Sequence, residues 1–145
     1  MKKILFVCTG NTCRSPMAEG ILNKLAGERN LDVFAKSAGI SAAEGSPASV
    51  NSVKVCEEIG VDISGHRSTQ LTNQMFYEAD KVVPMTKTHQ IIMQDAFKNR
   101  EKILPALDVP DPFGGDLEEY RLCRDRIKEK IEELQLFIQR FSANK

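Results

Sequence analysis

The sequence of 145 residues lacks an excess of charge of either sign, because 20 lysine and arginine residues balance 20 aspartate and glutamate residues. Without a net field, and without a basic tract interleaved with aromatic residues, the chain is not expected to bind nucleic acid or an anionic membrane surface. It also lacks an apolar run near the roughly 20 residues that cross a bilayer. Internal repeats and low-complexity segments are absent. We therefore expect an ordinary globular protein, with neither nucleic acid nor a membrane among its partners.

Histidine and cysteine are scarce as well. His66 and His89 are far apart and have no partner at metal-ligand spacing, so no metal is expected. The first residues, Met-Lys-Lys and a short apolar run, resemble the start of a signal peptide. That run is too short, however, and it leads into Cys-Thr-Gly-Asn rather than a small-residue cleavage site. We therefore expect a cytoplasmic protein whose four cysteines are free thiols.

The apolar pattern predicts a single α/β domain over residues 1–145. The continuous apolar run at 4–7 is typical of a buried parallel strand with helices on both faces of the sheet. Strands are predicted at 4–7, 32–37, 81–85 and 103–104, and helices at about 15–29, 47–59, 86–98 and 115–141, with a short helix capped by Thr72. Pro84 is unusual for the interior of a sheet. Alternating strands and helices indicate a doubly wound sheet, whose carboxyl edge binds ligands.

The most informative segment is Cys-Thr-Gly-Asn-Thr-Cys-Arg-Ser at residues 8–15, between the first strand and the first helix. Backbone N–H groups of such a loop and of the helix N-terminus converge on one point and bind an anion. Cys8 stands at the mouth of this site, where a thiolate is stabilised. Arg14 can hold two oxygens of a tetrahedral oxyanion. These residues predict attack on phosphorus, and the ordinary alternative for Cys8 is a buried, inert thiol.

The remaining loop residues are predicted to support this chemistry. Gly10 and Asn11 are able to take the unusual backbone angles that a tight loop needs. Ser15 is placed to cap the helix, and its hydroxyl can also donate a hydrogen bond to the Cys8 sulfur when a phospho-enzyme is hydrolysed. The candidate substrate-binding residues of the loop are Thr9, Gly10, Asn11, Thr12, Cys13 and Ser15.

Attack on phosphorus also needs a group that donates a proton to the leaving group. Asp111 lies in the proline-flanked segment Asp-Val-Pro-Asp-Pro-Phe-Gly-Gly at 108–115, which can fold over the anion site, and Asp108 is a rival carboxylate. Because an Asp-Pro pair is also a common turn starter, the residues alone leave the acid role open. His66 is expected to form a structural hydrogen bond near the site rather than to act as a base.

Taken together, these segments resemble the low-molecular-weight protein tyrosine phosphatases. The resemblance rests on five segments in the family's order over nearly the whole chain: 7–19, Ser37–Gly39, Gly65–Ser68, Ala79–Asp80 and Asp111–Pro112. It implies a three-layer α/β sandwich with a central four-stranded parallel sheet and no metal or organic cofactor. It assigns Cys8 as the nucleophile, Arg14 as the phosphate clamp, Asp111 as the general acid and Asn11 as the brace of the loop.

The resemblance also bears on redox chemistry and on substrate choice. In this family a cysteine at the place of Cys13 can form a reversible disulfide with the nucleophile; the simpler interpretation is that Cys13 fills the underside of the loop.

Thr12, together with Asp-Pro-Phe-Gly-Gly, resembles the bacterial protein arginine phosphatases of the family, whereas tyrosine-directed members commonly carry a branched aliphatic residue at the position of Thr12. Phe113 is expected to line the substrate pocket. The predicted reaction is hydrolysis of phosphoarginine or phosphotyrosine in protein substrates through a cysteinyl-phosphate, with phosphoarginine slightly favoured.

Other functions account for part of the pattern. Thiol-coupled arsenate reductases resemble this fold and share the loop, but their chemistry needs two further cysteines close together. After Cys13 this chain has only Cys56 and Cys123, which are 67 positions apart in the sequence. A non-catalytic phosphopeptide-binding or redox-sensing protein would keep Cys8 and the loop but would not explain Asp111. The oligomeric state is not readable from these residues, and we expect a monomer.

Overall fold

The computed structural model describes residues 1–134, 137, 139 and 140. Within these residues the strands are Lys2–Cys8 (β1), Val33–Gly39 (β2) and Lys81–Pro84 (β3). The α-helices of the same residues are Arg14–Glu28 (α1), Val50–Glu57 (α2), Asn73–Glu78 (α3), Lys87–Ala96 (α4) and Leu117–Glu133 (α5), and a 3₁₀ helix lies at Arg100–Lys102. No helix in this part of the chain is long and apolar enough to cross a membrane.

The strands form a parallel sheet in the order β2-β1-β3. The register pairs Cys8 with Gly39 on β2 and Val7 with Pro84 on β3. All three strands therefore end at the same edge, and the central strand ends at Cys8. The predicted position of the loop after β1, at the carboxyl edge of a doubly wound sheet, is confirmed.

The predicted fourth strand is only a single bridge in the structure. Ile103 forms an isolated parallel bridge with Val82, and the Leu104 N–H donates to the Val82 carbonyl over 2.8 Å. The carbonyl of Pro84 also accepts a hydrogen bond from this segment, from the Leu107 N–H, so the nitrogen of Pro84 lies on the same outer side. Because proline has no N–H to donate, the pairing cannot continue there. The prediction of four strands is thus corrected to three among the described residues, with the proline on an edge strand.

Side-chain caps set two helix boundaries that differ from the predicted ones. Helix α2 begins at residue 50 rather than near 47, because the Ser49 hydroxyl accepts a hydrogen bond from the Ser52 N–H. Helix α5 begins at residue 117 rather than 115, after Asp116, whose carboxylate caps it. The predicted continuation of this helix to Phe141 includes residues 135, 136, 138 and 141, which lie outside the described residues.

Helices cover both faces of the sheet, as predicted. Alternate residues of β1 enter opposite layers, since side chains of a strand alternate between its faces. Ile4 and Phe6 pack into a layer formed with α1, α2 and α5, which contribute Met17, Ile21, Leu25, Val55, Ile127 and Ile131. Leu5 and Val7 pack into a layer with α3 and α4, which contribute Phe76 and Met93. Each large apolar side chain buried in this way contributes about 1.5–3 kcal/mol, so the loop after β1 rests on a rigid support.

Candidate active site

The site begins where β1 ends at Cys8 and a short loop leads into α1. The Cys8 side chain is buried, and its Sγ atom lies 2.8 Å from the Oγ atom of Ser15. The Asn11 amide donates to the same Oγ atom over 2.8 Å. Because that oxygen already accepts from Asn11, its own hydrogen is available to the sulfur. A sulfur anion at this position would therefore have a hydroxyl donor in contact with it.

Ser15 does not cap α1, contrary to the capping role expected from the sequence. The helix begins at Arg14, so Cys13 occupies the cap position, and no side-chain hydrogen bond is made at this cap. Ser15 lies inside the first turn, where its hydroxyl contacts Cys8 and Asn11 instead. The first N–H groups of the helix have no partner within the helix. They can therefore bind an anion held in the loop.

Asn11 determines the conformation of the loop. Its φ of 59° lies in the left-handed region, which asparagine tolerates better than most residues. Its buried amide nitrogen donates to the Oγ atoms of Ser15 (2.8 Å) and Ser37 (3.0 Å), and its amide oxygen accepts from the Thr69 N–H (2.9 Å). These bonds connect the loop to β2 and to the segment before α3. The predicted unusual backbone angle is therefore confirmed at this residue.

Two glycines near the loop differ in what the structure requires of them. Gly10 has no positive φ, and a Cβ added to it would meet the Thr12 Oγ1 atom at an ordinary contact distance of 3.8 Å, so Gly10 does not use the left-handed angles that are open to a glycine. Gly39, at the end of β2, is different. A Cβ there would lie 2.5 Å from the Thr9 carbonyl oxygen and 3.1 Å from the Asn11 nitrogen. Only glycine lets β2 approach the loop this closely.

Replacing Asn11 is expected to destabilise the fold. Asn11→Gly should lower the free energy of unfolding by about 2 kcal/mol, because it leaves buried hydrogen-bonding partners unsatisfied. Asn11→Ala loses the same bonds and also strains the backbone, because alanine tolerates the left-handed region less well than glycine. This strain outweighs the extra entropy that glycine gives to the unfolded chain, so the free energy of unfolding of Asn11→Ala should be lower by a further amount of about 1 kcal/mol. Urea denaturation of the two variants measures both effects. Equal losses would contradict the claim that the backbone angle at residue 11 matters.

His66 also holds this loop, through a hydrogen bond to its backbone. Its Nε2 atom lies 2.8 Å from the Asn11 carbonyl oxygen. Since a carbonyl only accepts, the Nε2 atom of His66 carries the hydrogen and donates it. The expectation of a structural hydrogen bond near the site is confirmed.

Arg14 and Asp111 meet at the anion site although they are far apart in sequence. Arg14 is buried; its Nη1 atom donates to the Val109 carbonyl over 3.2 Å, and its Nη2 atom lies 3.7 Å from the Asp111 Oδ2 atom. The Asp111 side chain is 52% exposed, and its other oxygen accepts from the Phe113 N–H over 3.0 Å. Of the two candidate carboxylates, Asp111 rather than Asp108 is the one that the structure places beside Arg14. It is held in a fixed turn but remains accessible to a substrate.

Cys13 lies under the loop, between α2 and α5. Its Sγ atom is 3.4 Å from the Tyr120 hydroxyl and 3.6 Å from the Ser49 Oγ atom. Burial, and then the hydrogen bond with Cys13, raise the pKa of Tyr120 to about 12. All four cysteines are free thiols in the structure. Cys13 thus fills the underside of the loop, and its disulfide with Cys8 stays a prediction.

Thr12 and Phe113 are the residues predicted to influence the substrate. Thr12 is half-buried, and among the described residues its Oγ1 atom makes only a long hydrogen-bond contact of 3.9 Å, with the Cys13 sulfur. Phe113 is 80% exposed, two residues after Asp111. Both side chains are therefore available to a bound molecule, and their roles in substrate choice stay predictions.

His89 is a residue near the site that the sequence interpretation missed. It is 4% exposed; its Nε2 atom lies 2.9 Å from the Thr9 Oγ1 atom, and its Nδ1 atom lies 3.0 Å from the Oγ1 atom of Thr86, which caps α4. Burial and then the positive charge of Arg14 lower the pKa of His89 to about 4, although Asp111 opposes this. The ring is therefore neutral near pH 7. A threonine three residues before a histidine at a helix start was the available signal.

Within the described part of the chain, no group of three or more histidine, cysteine or carboxylate side chains is placed to hold a metal ion.

Comparison with known proteins places this geometry in a family. The family model of the low molecular weight phosphotyrosine protein phosphatases matches residues 3–144. The chain is 42% identical over 141 residues to a protein-arginine-phosphatase of Geobacillus stearothermophilus, across 91% of this chain and 93% of the relative. It is 35% identical over 136 residues to an arsenate reductase of Staphylococcus epidermidis, across 90% of this chain and 94% of that relative.

A solved structure shows the same fold. It is the arginine phosphatase YwlE in a cysteine-to-serine mutant whose active-site serine is phosphorylated. The two chains superpose with a TM-score of 0.86 at 35% identity, over 92% of this chain and 95% of the other. Because the family model and these relatives match nearly the whole chain, the chain belongs to the low molecular weight phosphotyrosine protein phosphatase family.

Proposed function

We propose that this chain, a protein phosphatase of the low-molecular-weight family, hydrolyses phosphoarginine in protein substrates in preference to phosphotyrosine. One observation carries the chemistry: the Cys8 sulfur lies at the N-terminus of α1, 2.8 Å from the Ser15 hydroxyl, and the Arg14–Asp111 pair lies at the same helix end. A nucleophile, an anion clamp and a carboxyl group thus meet at one edge of the sheet. The protein-arginine-phosphatase relative supports the preference for phosphoarginine.

In the first step, the Cys8 thiolate attacks phosphorus. An S–P bond forms while the P–N bond of phosphoarginine, or the P–O bond of phosphotyrosine, breaks. The backbone N–H groups of residues 9–14 and the Arg14 guanidinium hold the phosphoryl oxygens. Asp111, protonated at this stage, transfers its proton to the leaving nitrogen or oxygen. The dephosphorylated side chain leaves, and Cys8 carries the phosphoryl group.

In the second step, water hydrolyses the phosphorylated cysteine. The Asp111 carboxylate accepts a proton from the attacking water, and the S–P bond breaks as a new P–O bond forms. The Cys8 sulfur leaves as a thiolate, which the Ser15 hydroxyl stabilises through the 2.8 Å contact already present. Asn11 keeps that hydroxyl in place from its other side. Release of inorganic phosphate restores the starting state.

Arsenate reduction is the enzymatic alternative, because an arsenate reductase is among the relatives. That chemistry needs further cysteines that can relay a disulfide. Cys56 and Cys123 lie on α2 and α5, and both are buried. Burial raises the pKa of each thiol to about 12, so both are protonated and unreactive near neutral pH. These two thiols do not form an accessible pair, and the site favours hydrolysis.

A non-catalytic phosphopeptide-binding or redox-sensing role is also less consistent with the site. A carboxylate 3.7 Å from the Arg14 guanidinium weakens the attraction of that guanidinium for a phosphate. A binding protein therefore gains nothing from Asp111 at this place, whereas an enzyme needs a proton donor there. The position of Asp111 favours catalysis over binding alone.

Substrate preference is expected to depend on Thr12. The wild type should release phosphate faster from a phosphoarginine peptide than from a phosphotyrosine peptide of the same sequence, under reducing conditions. Thr12→Ile should shift the ratio of the two kcat/KM values toward phosphotyrosine by about tenfold, because it replaces a free hydroxyl beside the anion site with a larger apolar wall.

Thr12→Ser is the matched control for this experiment, since it keeps the hydroxyl and removes only a methyl group. It should preserve the preference for phosphoarginine. A wild-type preference for phosphotyrosine that Thr12→Ile leaves unchanged would contradict the proposal and make this a tyrosine phosphatase.

We further propose a monomeric, cytoplasmic enzyme with one phosphatase domain at 1–145, whose partners are phosphorylated proteins rather than nucleic acid or membranes. The balance of 20 basic and 20 acidic residues supports this proposal, since it creates no field that would attract a polyanion. Light scattering of the purified protein measures the oligomeric state.

A further inference from the structure

The loop after Cys8 is held by hydrogen bonds on its β2 side and on its β3 side. On the β2 side the contacts are between backbones: the Ile40 N–H donates to the Cys8 carbonyl and the Ser41 N–H to the Thr9 carbonyl, both over 3.0 Å. On the β3 side a side chain makes the contact, since the His89 Nε2 atom lies 2.9 Å from the Thr9 Oγ1 atom. His89 therefore connects α4, which follows β3, to the residue next to the nucleophile.

The imidazole of His89 is the rigid partner in this contact. It is buried, and both of its nitrogens are engaged, Nδ1 with the Thr86 Oγ1 atom and Nε2 with the Thr9 Oγ1 atom. Thr86 is itself fixed, because its Oγ1 atom caps α4 by accepting a hydrogen bond from the His89 backbone N–H. Turning the ring would leave buried polar atoms unpaired. Thr9, by contrast, is exposed; the Ser41 N–H holds its carbonyl, and the ring holds its hydroxyl.

We propose that His89 is a positioning residue of the active site: it holds the Thr9 hydroxyl and thereby directs the backbone N–H groups that follow Cys8 toward the phosphoryl group. This inference rests on the proposed phosphatase function. Burial keeps the ring neutral near pH 7, since it is the main cause that lowers the pKa of His89 to about 4. The ring acts on the loop and not on the substrate, so losing it should weaken the binding of phosphate itself.

Two amide substitutions separate the contact with Thr9 from simple filling of space. A glutamine amide reaches about as far as the imidazole Nε2 atom and can bond Thr9, whereas an asparagine amide reaches only the place of Nδ1, near Thr86. His89→Asn should raise both the KM for the phosphopeptide and the inhibition constant of inorganic phosphate by about tenfold. His89→Gln should restore most of that loss. Equal losses in the two variants would overturn the proposal.

A double-mutant cycle tests the same contact from the other end. Thr9→Val keeps the shape of the side chain and removes the hydroxyl. If His89 acts through that hydroxyl, His89→Asn should have little further effect on the inhibition constant of phosphate in the Thr9→Val background. An undiminished effect there would show that His89 acts by another route and would overturn the proposal.

A readout without turnover separates this inference from the proposed function. Iodoacetamide should alkylate Cys8, and inorganic phosphate in the loop should protect it. His89→Asn is expected to need about tenfold more phosphate for half-protection than the wild type. If the wild type released phosphate from no phosphopeptide, the proposed function would fail, while this protection would still report on the loop. Unchanged protection in His89→Asn would overturn the inference itself.

Discussion

Cys8→Ser is expected to abolish phosphate release from every phosphopeptide while leaving the binding of inorganic phosphate intact. A serine hydroxyl is a far weaker nucleophile than a thiolate near pH 7, so the fall in kcat should be on the order of 10⁴-fold or more. The anion site itself consists of the loop N–H groups and Arg14, which the substitution does not touch. Steady-state phosphate release measures the first effect, and calorimetric titration with phosphate measures the second.

Cys123→Ser is the matched control for this loss. Cys123 is buried on α5, and its sulfur donates a long hydrogen bond of 3.9 Å to the Pro110 carbonyl, to which a serine hydroxyl can also donate. This variant should keep the wild-type kcat. If Cys8→Ser retained turnover, or if Cys123→Ser lost it to the same extent, Cys8 would not be the nucleophile.

Asp111→Asn is expected to lower kcat most for substrates whose leaving group needs a proton in order to depart. For a phosphopeptide the fall in kcat should be about 10²–10⁴-fold, the usual contribution of a positioned general acid. For p-nitrophenyl phosphate, whose leaving group departs without protonation, the fall should be much smaller. Comparing kcat for the two substrates measures the difference.

Asp108→Asn is the control, because Asp108 is the rival carboxylate of the same segment. Its φ of 61° lies in the left-handed region, where asparagine is tolerated, so the substitution should not strain the loop. Both substrates should be turned over at wild-type rates. An equal effect of Asp111→Asn on both substrates would argue against proton donation by this residue.

The elements that the sequence predicted best were those with a long, unambiguous apolar pattern. The run at 4–7 is the buried centre of β1, and the apolar face of the first helix is buried as expected in α1. The fourth strand failed because a short apolar pair at 103–104 carries no information about its neighbour across the sheet. Pro84 on that neighbour stops the pairing, although proline at this place was already a visible warning in the sequence.

In the candidate site, too, some features could be predicted from the local sequence and others could not. Cys8, Asn11 and Arg14 lie in one continuous segment between a strand and a helix, so local spacing was enough to bring them together. The detailed roles of neighbouring side chains were harder to read. Ser15 contacts the Cys8 sulfur as predicted, but it does not cap the helix, because the helix starts at Arg14. The left-handed backbone angle belongs to Asn11 and not to Gly10, and the Asn11 side chain holds it through its hydrogen bond with the Thr69 N–H.

By itself, the sequence determined that a cysteine and an arginine share one loop at the carboxyl edge of a parallel sheet, and the proposed chemistry follows from this arrangement. It could do so because residues a few positions apart are placed by local geometry alone. Only the tertiary structure decided that Asp111 rather than Asp108 lies beside Arg14, and that His89 reaches Thr9. The physical reason is that such distances depend on how the layers pack and how the loops between them return, which no local spacing encodes.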